Sequence, residues 1–267
     1  MDGKRGQLRQ AEAQNQDNSV TKRRGRKTKV AKFVLVHGAW HGGWCFDLVA
    51  KRLRSEGYDV YTPTLTGLGE RSHLLDDKTD LNTHIQDILN VIKWQDLDQI
   101  ILCGHSYGGM IVTGVADAVP EKIANLVYLD AYVPKDGESI WDFMSDERKQ
   151  ILLSDAKPYN GRAIRAPPPA HFGVDPRNQA WVADKMTPQP MLTLTQPIRI
   201  RGGYGPTRKR VYVYATGPSS MEGFYPELKD DPAWDVKMTE CGHDQMVDAP
   251  DKVAEILIQA ATCANHD

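Results

Sequence analysis

Two apolar patterns alternate along the chain. Short runs dense in β-branched and aromatic residues occur at "KFVLVHG" (32–38), "YDVYTPTL" (58–65), "QIILCGHS" (99–106), "IANLVYLD" (123–130), "RKRVYVYAT" (208–216) and "WDVKMTEC" (234–241). Each reads as a strand. Between them lie stripes at helical spacing: Phe46, Val49, Ala50 and Leu53, then Ile85, Ile88, Leu89 and Ile92, and near the end Val253, Ile256, Leu257 and Ala260. Gly57 punctuates the first of these helices, and Pro120 stops another, "GGMIVTGVADAVP". The strand runs are continuously apolar rather than alternating. That is the pattern of a parallel sheet covered on both faces, and strands alternating with helices predict an α/β fold.

One segment breaks the rhythm. Residues 134–207 hold ten of the sixteen prolines and no clear period. They are expected to form a small cap or lid inserted into a core made of residues 31–133 and 208–264. A second break is the start of the chain. Residues 1–32 carry ten Lys or Arg against three Asp or Glu, about +7, so with a whole-chain charge of −2 the remainder is near −9. Residues 1–30 have almost no large apolar side chains and are expected to be a disordered basic head. "KRRGRKTK" could meet nucleic acid, but no nucleic-acid module follows it, and it reads as a solvated tail.

Length and composition suit one large domain with an insertion. A core of that size needs no staple. The four cysteines, Cys45, Cys103, Cys241 and Cys263, show neither CxxC nor zinc spacing, and read as small residues of a reduced, cytoplasmic protein. No apolar stretch approaches membrane-spanning length, so no membrane partner is expected.

The chemistry gathers where strands end, which is where open α/β sheets bind ligands. "GHSYG" is a G-x-S-x-G between a strand and a helix, a turn that projects the Ser106 hydroxyl. Asp130 ends the next strand, and His243 follows the last one. The order Ser106, Asp130, His243 is that of a nucleophile, an acid and a base. Glu222 is the alternative acid. "GLGERS" (67–72) approaches a dinucleotide fingerprint, but Ser72 stands where the third glycine belongs and the loop follows the wrong strand. No cofactor and no metal site is expected. His84 reads as a solvated or capping residue, and His41 as either a pocket wall or a loop hydrogen-bonder.

"VLVHGAWHGGW", "PTLTGLGERSHL", "GHSYGGM", "LVYLDAYVP" and "GHDQMV" resemble the α/β-hydrolase superfamily, in particular bacterial esterases and the plant methylesterase and hydroxynitrile lyase branch. The likeness runs over about residues 31–262 and is thin in the insertion. It implies a mostly parallel central sheet with helices on both faces. It implies Ser106 as nucleophile, His243 as base, and the amides of Ala39 and Tyr107 as the oxyanion hole. The reaction implied is hydrolysis of a carboxylic ester, lactone or thioester through an acyl-enzyme. Plant hydroxynitrile lyases carry Thr and Lys where this chain has Gly38 and Asp244, which disfavours the lyase. In the superfamily the acid more often follows the strand that here is "RVYVYAT". The loop there, "GPSSMEG", has no Asp, which leaves Asp130. Trp40, His41 and Tyr132 are the expected substrate contacts, for an apolar or aromatic small molecule. A carbon–carbon bond hydrolase and a non-catalytic receptor of the same fold remain open, as does a homodimer.

Overall fold

The computed structural model describes residues 31–202, 210–219, 221 and 223–263. The basic head lies outside the described residues, as does Glu222. Six strands form one sheet: β1 (Lys32–Val36), β2 (Asp59–Tyr61), β3 (Ile100–His105), β4 (Ile123–Leu129), β7 (Arg210–Ala215) and β8 (Trp234–Thr239). Their spatial order is β2-β1-β3-β4-β7-β8, and every pairing is parallel. A parallel sheet needs a crossover between neighbours, and helices supply it. These include α1 (Asp47–Ser55), α2 (Leu81–Trp94), α3 (Gly108–Ala118) and the closing α9 (Pro250–Cys263).

Burial follows the sequence pattern. All six residues of β3 are buried, and so is every residue of α3 from Gly108 to Ala116. The α2 stripe turns Leu81, Ile88 and Ile92 inward, and Asp80 caps it by accepting from the Thr83 amide at 2.8 Å. The expected second strand over 58–65 is shorter in the structure. Pro63 has no amide to give a ladder. Beyond it the chain peels away, so that the Leu65 amide donates to His37 Nε2 and Thr64 Oγ1 accepts from the Gly43 amide.

The insertion forms a layer of short elements. They are α4 (Asp146–Ala156), the two-residue pair β5 (Ala163–Ile164) and β6 (Gln189–Pro190), α5 (Pro176–Lys185) and the single turn α6 (Leu192–Thr195). Its two stems are joined, with the Gly137 amide donating to Ile198 O and the Ile198 amide to Glu138 O. It reaches back to the core at the β1 loop, where the Thr187 amide donates to Trp40 O at 2.9 Å and Gln189 Oε1 accepts from the Trp40 amide at 2.9 Å. Among the described residues, no helix is long and apolar enough to cross a membrane.

Candidate active site

Parallel register sets the site. Val36 of β1 pairs with Gly104 of β3, and His105 of β3 with Leu129 of β4. Ser106 and Asp130 therefore leave adjacent strands side by side, and His37 leaves β1 one residue earlier, level with His105. Ser106 has φ +52 and Asp130 φ +43, a left-handed backbone that costs a non-glycine residue roughly 1–2 kcal/mol. Both are pinned by neighbours. The Ser106 amide donates to Leu129 O, the Ser106 carbonyl accepts from the amides of Gly109 and Tyr132, and the Asp130 amide donates to Val213 O.

The glycines around Ser106 act by close approach rather than by positive φ. A Cβ on Gly108 would lie 2.7 Å from Val36 O, one on Gly109 would strike Tyr132 O, and one on Gly38 would lie 2.9 Å from Ser106 Cβ. The left-handed position of the turn falls on the serine itself. Ser106 thus stands at the start of α3, pressed against the loop that carries Ala39.

His243 Nδ1 lies 2.6 Å from Asp130 Oδ2, and both side chains are buried. The other carboxylate oxygen accepts from the Ala215 amide at 3.1 Å, and the Ser219 hydroxyl donates to Oδ2. Neither Ala215 nor Ser219 was legible as a site residue. The loop after β7 lacks an aspartate, yet the last residue of β7 and the loop each give Asp130 one donor. The His243 amide donates to Phe172 O and Pro218 O, which ties the histidine loop to the insertion. With Nδ1 held by Asp130, Nε2 is the ring nitrogen available for proton exchange.

Ser106 and His243 line one cavity of about 220 Å³ together with Ala39, Trp40, Tyr107 and Tyr132. The insertion completes it, chiefly with Phe143, Met144, Phe172 and Leu194. Trp40 is fixed by its indole donating to Ile164 O at 3.2 Å and by Phe172 at 5.8 Å between ring centres. Tyr132 packs on Phe143 and Phe224, and burial pushes its hydroxyl up to about 12.

Two further histidines lie away from the cavity wall. His41 is not among the residues of the cavity wall. Its Nδ1 is 2.8 Å from Ala39 O, its Nε2 is 3.1 Å from Asp244 Oδ2, and its ring stacks on Trp44. Burial alone would lower its pKa, but the Asp244 carboxylate outweighs this and raises it above 6.5. Asp244 is likewise buried, and the histidine still holds its carboxyl at about 2. The pair is therefore an ion pair behind the loop. His84 is neither solvated nor a cap. It is fully buried, donating from Nε2 to Thr66 O and accepting at Nδ1 from the Tyr107 hydroxyl, and burial lowers its pKa to about 4. For His84 the sequence signal was available: it lies between Leu81 and Ile88 on the buried face of α2, where a polar ring must find partners.

Residues 33–256 match the model of the alpha/beta hydrolase family. The chain is 42% identical over 238 residues to a carbendazim hydrolyzing esterase of Nocardioides sp. (strain SG-4G), covering 85% of this chain and 98% of that protein. It is 26% identical to methyl jasmonate esterase 1 of Vitis vinifera, over 80% of this chain and 89% of that one. Among solved structures it resembles an extracellular alpha/beta-hydrolase from a Paenibacillus species, with a TM-score of 0.75 at 23% identity over 86% of this chain and 98% of that one. An all-parallel six-stranded sheet, a serine on the turn after its central strand, and likeness along nearly the whole described chain lead to one conclusion: this protein belongs to the alpha/beta hydrolase family.

Proposed function

We propose that the chain is a serine hydrolase of small-molecule carboxylic esters, working through an acyl-enzyme. The observation that carries this reading is that Ser106 and His243 line one cavity, with Asp130 2.6 Å behind the His243 ring. His243 Nε2 takes the Ser106 proton as the hydroxyl attacks the ester carbonyl. The developing oxyanion is held by the amides of Ala39 and Tyr107, where α3 begins and its dipole adds to the donors. His243 then returns the proton to the leaving alcohol, and water repeats the cycle to release the acid. Asp130 keeps the imidazole tautomer and stabilises its charged form. Ser219 and the Ala215 amide hold Asp130 in turn.

The cavity is small beside typical ligand sites of roughly 300–1,000 Å³. Its aromatic and methionine walls suit an apolar or aromatic acyl or alcohol group. The insertion supplies much of that wall, so residues 134–207 act as a cap that sets substrate choice. The similarity to esterases supports ester cleavage over carbon–carbon hydrolysis. The lyase reading loses further support because Asp244, the residue after His243, is turned onto His41.

A serine-directed fluorophosphonate and a panel of p-nitrophenyl esters test the reading. Wild type should be labelled at Ser106 and turn over short or aromatic esters, and Ser106→Ala should lose both while keeping its melting temperature. Labelling elsewhere, or a variant retaining a tenth of wild-type kcat, would refute it.

A further inference from the structure

One charged side chain in the cavity takes no part in the mechanism above. Arg148 lies in the first turn of α4, its amide accepted by Ser145 Oγ at 3.2 Å. It lines the cavity of Ser106, where its neighbours include Tyr132, Phe143, Met144 and Phe172. It also lines a second, more open cavity of about 560 Å³ formed by the insertion, and His171 likewise borders both. Arg148 therefore stands at the seam between the chamber of Ser106 and a second cavity that is more open to solvent.

Three other arginines of the chain are matched by carboxylates. Arg52 pairs with Glu56, Arg71 with Asp87 and Arg177 with Asp175. Among the described residues, Arg148 has no such carboxylate. Asp155 shares the outer cavity but forms no ion pair with it. The charge is nevertheless felt inside. After burial, Arg148 is the next influence lowering the His171 pKa, and it works against burial at the Tyr132 hydroxyl.

A guanidinium beside aromatic walls has lost part of its water and gained no anion in return. A neutral ligand filling the chamber would strip it further. A ligand bearing a carboxylate would meet the fork with paired, charge-assisted hydrogen bonds. The outer cavity lets that carboxylate keep some water, so its own desolvation is partial. We propose that Arg148 anchors a free carboxylate on the substrate, so that the preferred esters are half-esters: an ester carbonyl at Ser106, an apolar spacer in the chamber, and an anionic end at the seam. The proposal rests on the esterase reading of Ser106.

Methyl half-esters of straight-chain and aromatic dicarboxylic acids, each against the methyl ester of the matching uncharged acid, provide the test. At the best spacer length, wild type should favour the half-ester at least tenfold in kcat/KM, mainly through KM. Tenfold corresponds to about 1.4 kcal/mol. In Arg148→Met that preference ratio should fall at least tenfold, and Arg148→Lys should retain part of it. No wild-type preference at any length would overturn the proposal. So would a ratio that stays within twofold of wild type in Arg148→Met, which is the result if the side chain only supports the insertion. If wild type cleaves neither series and takes no fluorophosphonate, the esterase reading fails separately. Calorimetric titration with hexanoate and 3-phenylpropanoate then decides on Arg148 alone: binding lost in Arg148→Met supports it, and equal or absent binding overturns it.

Discussion

His243 and His41 each sit against a buried aspartate, and the two pairs lie within one small region. Asp130 is 2.6 Å from His243, and Asp244 is 3.1 Å from His41. By distance and burial they are near equivalents. The difference lies in the second ring nitrogen. That of His41 is taken by Ala39 O at 2.8 Å, and the ring is sealed behind Trp44. His243 uses only Nδ1 internally, and the residue borders the cavity that Ser106 also lines. A histidine–carboxylate pair can do chemistry only if one nitrogen remains for a substrate or nucleophile. With both engaged it is a brace, here joining the loop of Ala39 to the loop of His243. The brace bears on the reaction indirectly, since it fixes the carbonyl next to one of the proposed oxyanion amides.

That contrast can be broken from either side. The largest effect is expected from Asp130→Asn, an isosteric change that should hold the fold but present the wrong tautomer, lowering kcat by roughly 10³–10⁴. Steady-state kinetics beside a melting curve check it, and a loss under tenfold would move the acid's role elsewhere. Asp244→Ala should show the opposite balance. Removing one partner of a buried pair costs about 3–5 kcal/mol, and the melting temperature should drop by roughly 10 °C, while kcat falls far less than in Asp130→Asn. The pair also has a pH window. Asp244 is depressed from 3.8 to about 2, so its contribution is full above 3.8 and lost as pH falls through about 2. His41 is raised above 6.5, so its contribution is full below 6.5 and lost as pH rises through that higher value. The difference in melting temperature between wild type and Asp244→Ala should therefore be greatest between those two limits and narrow on both sides. A flat difference from pH 2 to pH 9 would deny the ion pair. The smallest effect is expected from Glu222→Gln, which should lower kcat less than threefold. If it proved the crippling change and Asp130→Asn the mild one, the acid would be Glu222.

Much of the architecture was readable because the sequence pattern and the burial agree. The six apolar runs became the six strands, and the stripes of α1, α2 and α9 lie on the core, because one period per element leaves little choice of face. The failure at 58–65 came from weighing β-propensity above Pro63, which ends the ladder two residues after Tyr61. For His41 the sequence left a pocket wall and a loop hydrogen-bonder open, and the structure gives the second. Nothing local chose between them, because the partner lies 203 residues away. Ser219 and Ala215 were missed for the same reason. A hydroxyl and a backbone amide become site residues only when a distant carboxylate is laid against them.

What the chain by itself determined was therefore local and periodic: strands, helices, the G-x-S-x-G turn, and the order of serine, aspartate and histidine. These are set by side-chain spacing, steric limits on the backbone and short-range hydrogen bonds, all of which act within a few residues. Tertiary structure decided what depends on pairs far apart in sequence. Parallel register brought Ser106 and Asp130 to adjacent strand ends. The histidine loop, anchored to Phe172 and Pro218, delivered the ring to Asp130 rather than to Asp244 beside it. Which of two similar buried histidines keeps a free nitrogen at the cavity is decided by where the chain closes on itself, because the energy of burying a polar ring depends on partners that only the folded chain supplies.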